Sequence, residues 1–457
     1  MRAYNKAYCH FEHHQMRALL VLNVLVAHAE LQLWPSSEYN YRQLSFGALS
    51  EDMIMELMAD EAPDLKDTWR LPRTSTGLPL VSPIHYDVEI SMSGLYEADM
   101  EQQGVQKFFT FNATSVVQVQ CNADTDTIVM HAGDTFNFIV QSVSIDGLDT
   151  AKFEHVEDKE FLIITLDSFC NQNDKLTIRI TSSSNLRKDM KGLYETSYED
   201  PNGKTHYMAT TQFESVGARK TFACFDEPEY KATFAMTIIT KYEEYIARWN
   251  MPTYQREDLG DGYYRWTFDR SMTMSTYLLA IVISDYDFSE SGVSPGTGTS
   301  VTVAGPKHRI DQGLGEYGKN ISMAIIDGYS EYYGYDYADS FTGSGGAKSD
   351  QFGISDFAAG AMENWGLVTY KMGLAYNNPL EFPEGLNVQV ATVYCHELAH
   401  QWTGNLITTT WWDEIWLHES FADIGGFLGL RWAEPTWNWN NEFVNSQLMN
   451  GLRVDAR

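Results

Sequence analysis

Basic residues are scarce in this chain. Thirty-two Lys and Arg stand against 62 Asp and Glu in 457 residues, a formal net charge of −30. So few cations exclude the basic face that a phosphate backbone requires, and nucleic acid is not an expected partner. The acidic balance favours solubility and weakly attracts cationic amino termini. Cysteine is also sparse. The five (Cys9, Cys121, Cys170, Cys224 and Cys395) do not form a zinc spacing, and their pairing cannot be read from the sequence. No apolar run is long enough to span a bilayer, which takes roughly 20 residues. No internal repeat is present. The length suits two or three domains.

The longest apolar run lies near the amino terminus. MRALLVLNVLVAHAE (16–30) has Arg17, an apolar stretch from Ala18 to Val26, then Ala27-His28-Ala29. That is the pattern of an export signal, with cleavage expected after Ala29 to leave Glu30 first. Fifteen residues precede it, so initiation at Met16 or an unusually long n-region is expected. Export gives meaning to two glycosylation sequons, Asn112 (NAT) and Asn320 (NIS). Residues 30–69 are polar and acidic and read as a linker or stalk.

Against these scarcities stands one dense stretch, VYCHELAHQW (393–402). On a helix, His396 and His400 fall one turn apart on the same face and can point two imidazole nitrogens at one ion. Glu397 is rotated by about 100° from His396. It therefore sits beside the metal, where it can take a proton from an activated water. This is the H-E-x-x-H pattern of zinc peptidases. A catalytic zinc needs a third protein ligand. The TGN run (403–405) breaks the helix, and a second helical stretch follows from about Trp412 to Arg431. Helices joined by a short turn pack antiparallel, so a residue midway along the second can face the first. Glu419 is one candidate. Asp413, Glu414, His418 and Asp423 are rivals that local chemistry does not separate.

The run HELAHQWTGNLITTTWWDEIWLHESFA (396–422) closely resembles the gluzincin aminopeptidases of the M1 family, aminopeptidase N type. GAMENWG (360–366) and TQFESVGARKTFACFDEP (211–228) resemble two further family segments, with weaker matches at 70–91 and 274–284. The resemblance implies one zinc per chain on His396, His400 and Glu419, with Glu397 as general base. It implies that Gly360, Ala361, Met362, Glu363 and Asn364 bind substrate, with Glu363 gripping the free amino terminus, and that Gln212 lines the first specificity pocket. The implied partners are peptides with a free amino terminus, met outside the cell or at the outer face of the plasma membrane. An endopeptidase of thermolysin type shares the zinc triad, but an amine clamp blocks internal sites.

Fold class follows from pattern and resemblance together. From 70 to 285 short runs rich in Val, Ile, Thr and aromatics, such as YDVEISM, SVVQVQC, EFLIITL and ATFAMTIIT, predict a β-rich domain. Residues 286–457 are expected to form part of a mixed α/β, thermolysin-like zinc peptidase domain. There Ile310, Leu314, Tyr317, Ile321 and Ala324 step as one helix face, and 340–350 reads as a flexible loop. Cys224 and Cys395 read as packing residues, as do the tryptophans of 402–439.

The sequence also departs from the family pattern. Thr403 stands where an aromatic is usual, and WLHESFA carries His418 and Ser420 in place of Asn and Gly. Gly426 occupies a position where members often carry a glutamate near the amine site. SFTGSGGA replaces a proline-rich run. Family members run to about twice this length, and no residue here matches their oxyanion-stabilising tyrosine. A truncated, catalytically impaired module that keeps zinc but only binds peptides or a partner is therefore the alternative expectation.

Overall fold

The computed structural model describes residues 70–455, apart from 105, 135, 147–151 and 377–385. The export signal and the linker lie outside the described residues.

Alternation builds the first half. In Thr233–Lys241 (TFAMTIITK) every second side chain is buried, and Phe234, Met236 and Ile238 all face inward. This strand lies within a seven-stranded sheet. The order is Thr253–Gly260, Tyr263–Phe268, Thr233–Lys241, Val81–Met92, Thr110–Cys121, Lys175–Asn185 and Ile139–Ile145. Val81–Met92 runs parallel to Thr233–Lys241 and antiparallel to Thr110–Cys121. Its Tyr86 ring stacks on Phe234 at 4.7 Å. The edge strand Thr253–Gly260 is exposed throughout and charged along its length (TYQREDLG), which discourages further pairing.

A three-stranded sheet (Thr125–His131, Phe161–Cys170, Lys152–Val156) lies against the first. Cys121 and Cys170 join the two sheets in a disulfide, while Cys224 and Cys395 are free and buried. Asn112 and Asn320 both present exposed side chains. A four-stranded sheet follows, ordered Gly192–Glu199, Thr205–Gln212, Ile281–Ser284 and Ile246–Trp249. Most of its strands escape the hydrophobic pattern because they are short or rich in threonine and tyrosine.

Beyond Ser284 the architecture changes to mixed α/β. Ser300–Gly305, Lys348–Ile354 and Leu367–Lys371 run parallel, and Ala361–Met362 adds an antiparallel edge beside Leu367–Lys371. Two expectations need correction here. The stepping apolar residues of 310–324 form two helices, Lys307–Asp311 and Glu316–Tyr333, separated where Gly313 takes φ +73°. The polar run 340–350 is not simply a loop either. From Lys348 it is a strand buried at every position. Burial is possible because Lys348 Nζ pairs with Asp350 Oδ2 at 2.8 Å and also donates to Gly366 O at 2.7 Å. No helix among the described residues is long and apolar enough to cross a membrane.

Candidate active site

The motif helix, Leu386–Ala399, buries Val390, Ala391, Tyr394, Cys395, Leu398 and Ala399. These recur at the helical period and turn one broad face to the core. The companion helix, Ile415–Ala433, packs against it antiparallel. The approach is close because of two glycines. A Cβ at Gly425 would meet Ala399 Cβ at 2.5 Å, and one at Gly429 would meet Cys395 Cβ at 2.9 Å. The Tyr329 hydroxyl, from Glu316–Tyr333, reaches Cys395 O at 3.0 Å and Gly425 O at 2.5 Å and so fastens both helices.

This packing brings His396, His400 and Glu419 together, with their ligand atoms all within 4.8 Å of one another. The two Nε2 atoms are 3.1 Å apart, and Glu419 Oε2 lies 3.3 Å from His396 Nε2 and 3.6 Å from His400 Nε2. Three donors around a tetrahedral zinc, with bonds of about 2.05 Å, would be separated by about 3.4 Å. The set therefore has the size of one face of such a site. Its electrostatics also call for positive charge. Burial pulls the His400 imidazole down, but Glu363 and Glu419 reverse this and raise it to about 9. Burial likewise pushes the Glu419 carboxyl up, but His400 and His396 more than offset it and hold it well below its ordinary range.

The rival candidates lie elsewhere. Asp413 and Glu414 are exposed in the turn before the companion helix. His418 Nε2 turns away to accept from Thr409 N at 2.9 Å, and burial pulls its pKa down to about 4. Asp423 meets the outer nitrogen of His396, Nδ1, at 3.1 Å.

Glu397 is buried, and its Oε2 lacks a hydrogen-bond partner. Burial pushes its carboxyl up to about 8, against the pull of His396 and His400. Glu363 is also buried, with Oε1 unpartnered, and burial raises its carboxyl too. Of the GAMEN residues, Gly360 O accepts from Lys371 N, Ala361 and Met362 form the edge strand, and Asn364 Nδ2 donates to Thr369 Oγ1 at 3.2 Å. Gln212 ends the strand Thr205–Gln212. Its Nε2 reaches Met362 Sδ at 3.5 Å, and its Oε1 is buried without a partner.

Sequence reasoning missed several neighbours. Gln401 Nε2 and Asn405 Nδ2 both donate to Glu363 O at 2.9 Å, so the turn after the motif helix holds the residue that follows the edge strand. The signal was present in HQWTGN but has no meaning until the edge strand is placed. Tyr277 donates to Gly404 O at 3.1 Å. Burial raises its hydroxyl well above the ordinary value, and the negative charges of Glu363, Glu214 and Glu419 add to the rise. Glu214 stands two residues from Gln212 in TQFES.

Comparison with known proteins agrees with this arrangement. Residues 82–278 match the Peptidase M1 N-terminal domain, and residues 317–457 match the Peptidase family M1 domain. Aminopeptidase N of Bos taurus is 36% identical over 360 residues, which cover 76% of this chain and 36% of that protein. Aminopeptidase N of Homo sapiens is 34% identical over 359 residues, covering 76% and 36%. Glutamyl aminopeptidase of Homo sapiens is 31% identical over 391 residues, covering 84% and 38%. The chain thus spans little more than a third of the length of these relatives. With both domains matched in order along one chain, the protein belongs to peptidase family M1, of the aminopeptidase N type.

Proposed function

We propose that the protein is a zinc aminopeptidase that releases amino-terminal residues from peptides. The observation that carries this reading is the meeting of three ligand atoms beside two buried carboxylates with unpartnered oxygens. His396, His400 and Glu419 would hold one zinc. When bound, zinc supplies Lewis acidity that polarises a carbonyl and makes water acidic.

The chain's own groups do the rest. Glu397 Oε2 accepts the proton of the attacking water and returns it to the leaving amine. Burial leaves that carboxylate poorly solvated and pushes its pKa up. Glu363 pairs with the substrate's terminal ammonium and fixes the distance from the amino terminus to the scissile bond. Gly360, Ala361, Met362 and Asn364 form and brace the edge on which the peptide lies. Gln212, beside Met362, faces the first side chain of the substrate. The domain division at 285/286 follows the change from all-β to mixed α/β. The disulfide supports an oxidising compartment. With exposed Asn112 and Asn320, it favours secretion or the outer face of the plasma membrane, with glycans at both positions.

The test compares an aminoacyl anilide with its N-acetylated form, and a free dipeptide with its acetylated form, on the zinc-loaded protein. Turnover of the first pair and binding of the second should both favour the free amine. Equal treatment of free and blocked forms in both assays would reject the aminopeptidase reading.

A further inference from the structure

A metal-binding imidazole has a second nitrogen, and what that nitrogen bonds to decides where the first one points. The two site histidines solve this differently. His400 Nδ1 lies 3.1 Å from Thr403 O, a backbone acceptor that no side-chain substitution removes. His396 Nδ1 lies 3.1 Å from Asp423 Oδ1. Asp423 stands four residues after Glu419 on the companion helix, one turn along the same face. One helix face therefore presents both a candidate ligand and a carboxylate aimed at the back of another ligand.

The surroundings explain why Asp423 can serve there. A Cβ at Gly426 would come within 3.5 Å of His396 Cβ and 3.4 Å of Thr392 O, both ordinary contacts. A longer residue at 426 would thus start directly against the His396 backbone. With glycine there, no side chain from that position competes for Nδ1. Asp423 remains 41% exposed, and His396 only 20%. The aspartate is thus held by this contact rather than by deep packing.

We infer that Asp423 is the positioning residue of His396: it accepts the Nδ1–H, so that the Nε2 lone pair stays free and aimed at the metal. A neutral imidazole carries one N–H. Anchoring that hydrogen on Nδ1 selects the tautomer that can ligate through Nε2, and the carboxylate makes that nitrogen a stronger donor. The direction fits the geometry, because Nε2 is the atom that meets His400 Nε2 and Glu419 Oε2. This inference rests on the zinc reading of the site, so its experiment tests the two separately.

Zinc affinity is measured on the full 457-residue chain by competition with a chromophoric chelator, for the wild type, Glu419→Ala, Asp423→Asn and Asp423→Ala. Thermal melting is followed for each protein with and without zinc. Loss of such a supporting contact lowers metal affinity by about 10–100-fold. Asp423→Ala should fall in that range, and Asp423→Asn, which keeps an acceptor oxygen but no charge, between it and the wild type. The metal-free melting midpoint of Asp423→Ala should match that of the wild type, while the rise on adding zinc shrinks. The visible bands of the cobalt-loaded protein should shift in both Asp423 variants. A wild type that binds no zinc, or a Glu419→Ala protein that binds as tightly as wild type, would sink the zinc reading and this inference with it. Zinc lost in Glu419→Ala but held at wild-type affinity in Asp423→Ala would overturn the positioning role alone. A metal-free midpoint that falls in step with affinity would assign Asp423 to helix packing and overturn it as well.

Discussion

Two regions of this molecule bury charge, and they treat it in opposite ways. In the β-rich half, Arg219 is 2% exposed. Its Nε donates to Asp226 Oδ2 at 3.0 Å, one terminal nitrogen to Asp226 O at 2.8 Å and the other to Glu160 Oε2 at 3.3 Å. Asp226 also accepts from the Arg219 backbone N–H and from Thr276 Oγ1. Glu227 takes Leu71 N together with Arg70 and Arg73. In the cleft, Glu363 Oε1, Glu397 Oε2 and Gln212 Oε1 are buried with no hydrogen-bond partner. An unpaired buried carboxylate is costly, and such groups cluster where function uses them. The first region shows how buried charge is satisfied for stability. The second leaves polar atoms unpaired, as the proposed peptide site requires.

The largest effect expected from this contrast is kinetic. Glu397→Gln keeps the shape of the side chain but cannot take a proton, so kcat for an aminoacyl anilide should fall by about 10²–10⁴-fold. Zinc content should stay at the wild-type level, because Glu397 is not among the three converging ligands. Steady-state kinetics with metal analysis on one preparation checks this. A fall in kcat that tracks zinc loss would place Glu397 in metal binding rather than proton transfer.

Stability should separate the regions next. Arg219→Met removes the cation and leaves Asp226 buried without it, which should cost about 3–5 kcal/mol in chemical denaturation. Glu363→Gln does the reverse, removing a buried charge that has no partner on Oε1. The metal-free protein should then be as stable as the wild type or more so, while KM for the anilide rises. If Glu363→Gln destabilised the metal-free protein as much as Arg219→Met does, the cleft would be ordinary structural polarity and the contrast would fail.

The same contrast explains what the sequence made legible. The β-rich half could be read from strands such as TFAMTIITK because alternation is a local property. THYMATTQ, which carries Gln212, escaped that reading because its threonines bury as readily as valines once the neighbouring strands cover them. KSD (348–350) looked like loop because two charges in three residues look exposed until Lys348 and Asp350 are seen to pair. At the site, the spacing of His396 and His400 is likewise local. The choice among Asp413, Glu414, His418, Glu419 and Asp423 depends on which face of the companion helix meets the motif helix. Gly425 and Gly429 set that by permitting close contact, and no residue of the motif records it. Gln401 and Asn405 gained a role only when the edge strand placed Glu363 O between them.

Lys231 crosses the boundary between the two regions and gives the smallest and most discriminating effect. It comes from the β-rich half, yet its Nζ donates to Asn405 O at 3.0 Å and Leu406 O at 3.1 Å, in the turn that follows the site histidines. Burial lowers its pKa to about 8, against about 10.4 in an unfolded chain. Between those values the unfolded chain binds more protons than the folded one, so stability from this group rises with pH. Below pH 8 the residue is charged in both states, and the whole penalty for burying that charge is present. Lys231→Met fills similar space without the charge and removes the dependence. The difference in melting midpoint, variant minus wild type, should be constant below pH 8 and become less favourable to the variant as pH rises from 8 towards 10.4. Two carbonyls lose their donor in the variant, which sets the constant part at about 1 kcal/mol per bond against the relief of desolvation. A difference that stays flat across the whole range would mean that Lys231 is better solvated than its contacts indicate. In that case the boundary would belong with the satisfied region rather than with the cleft.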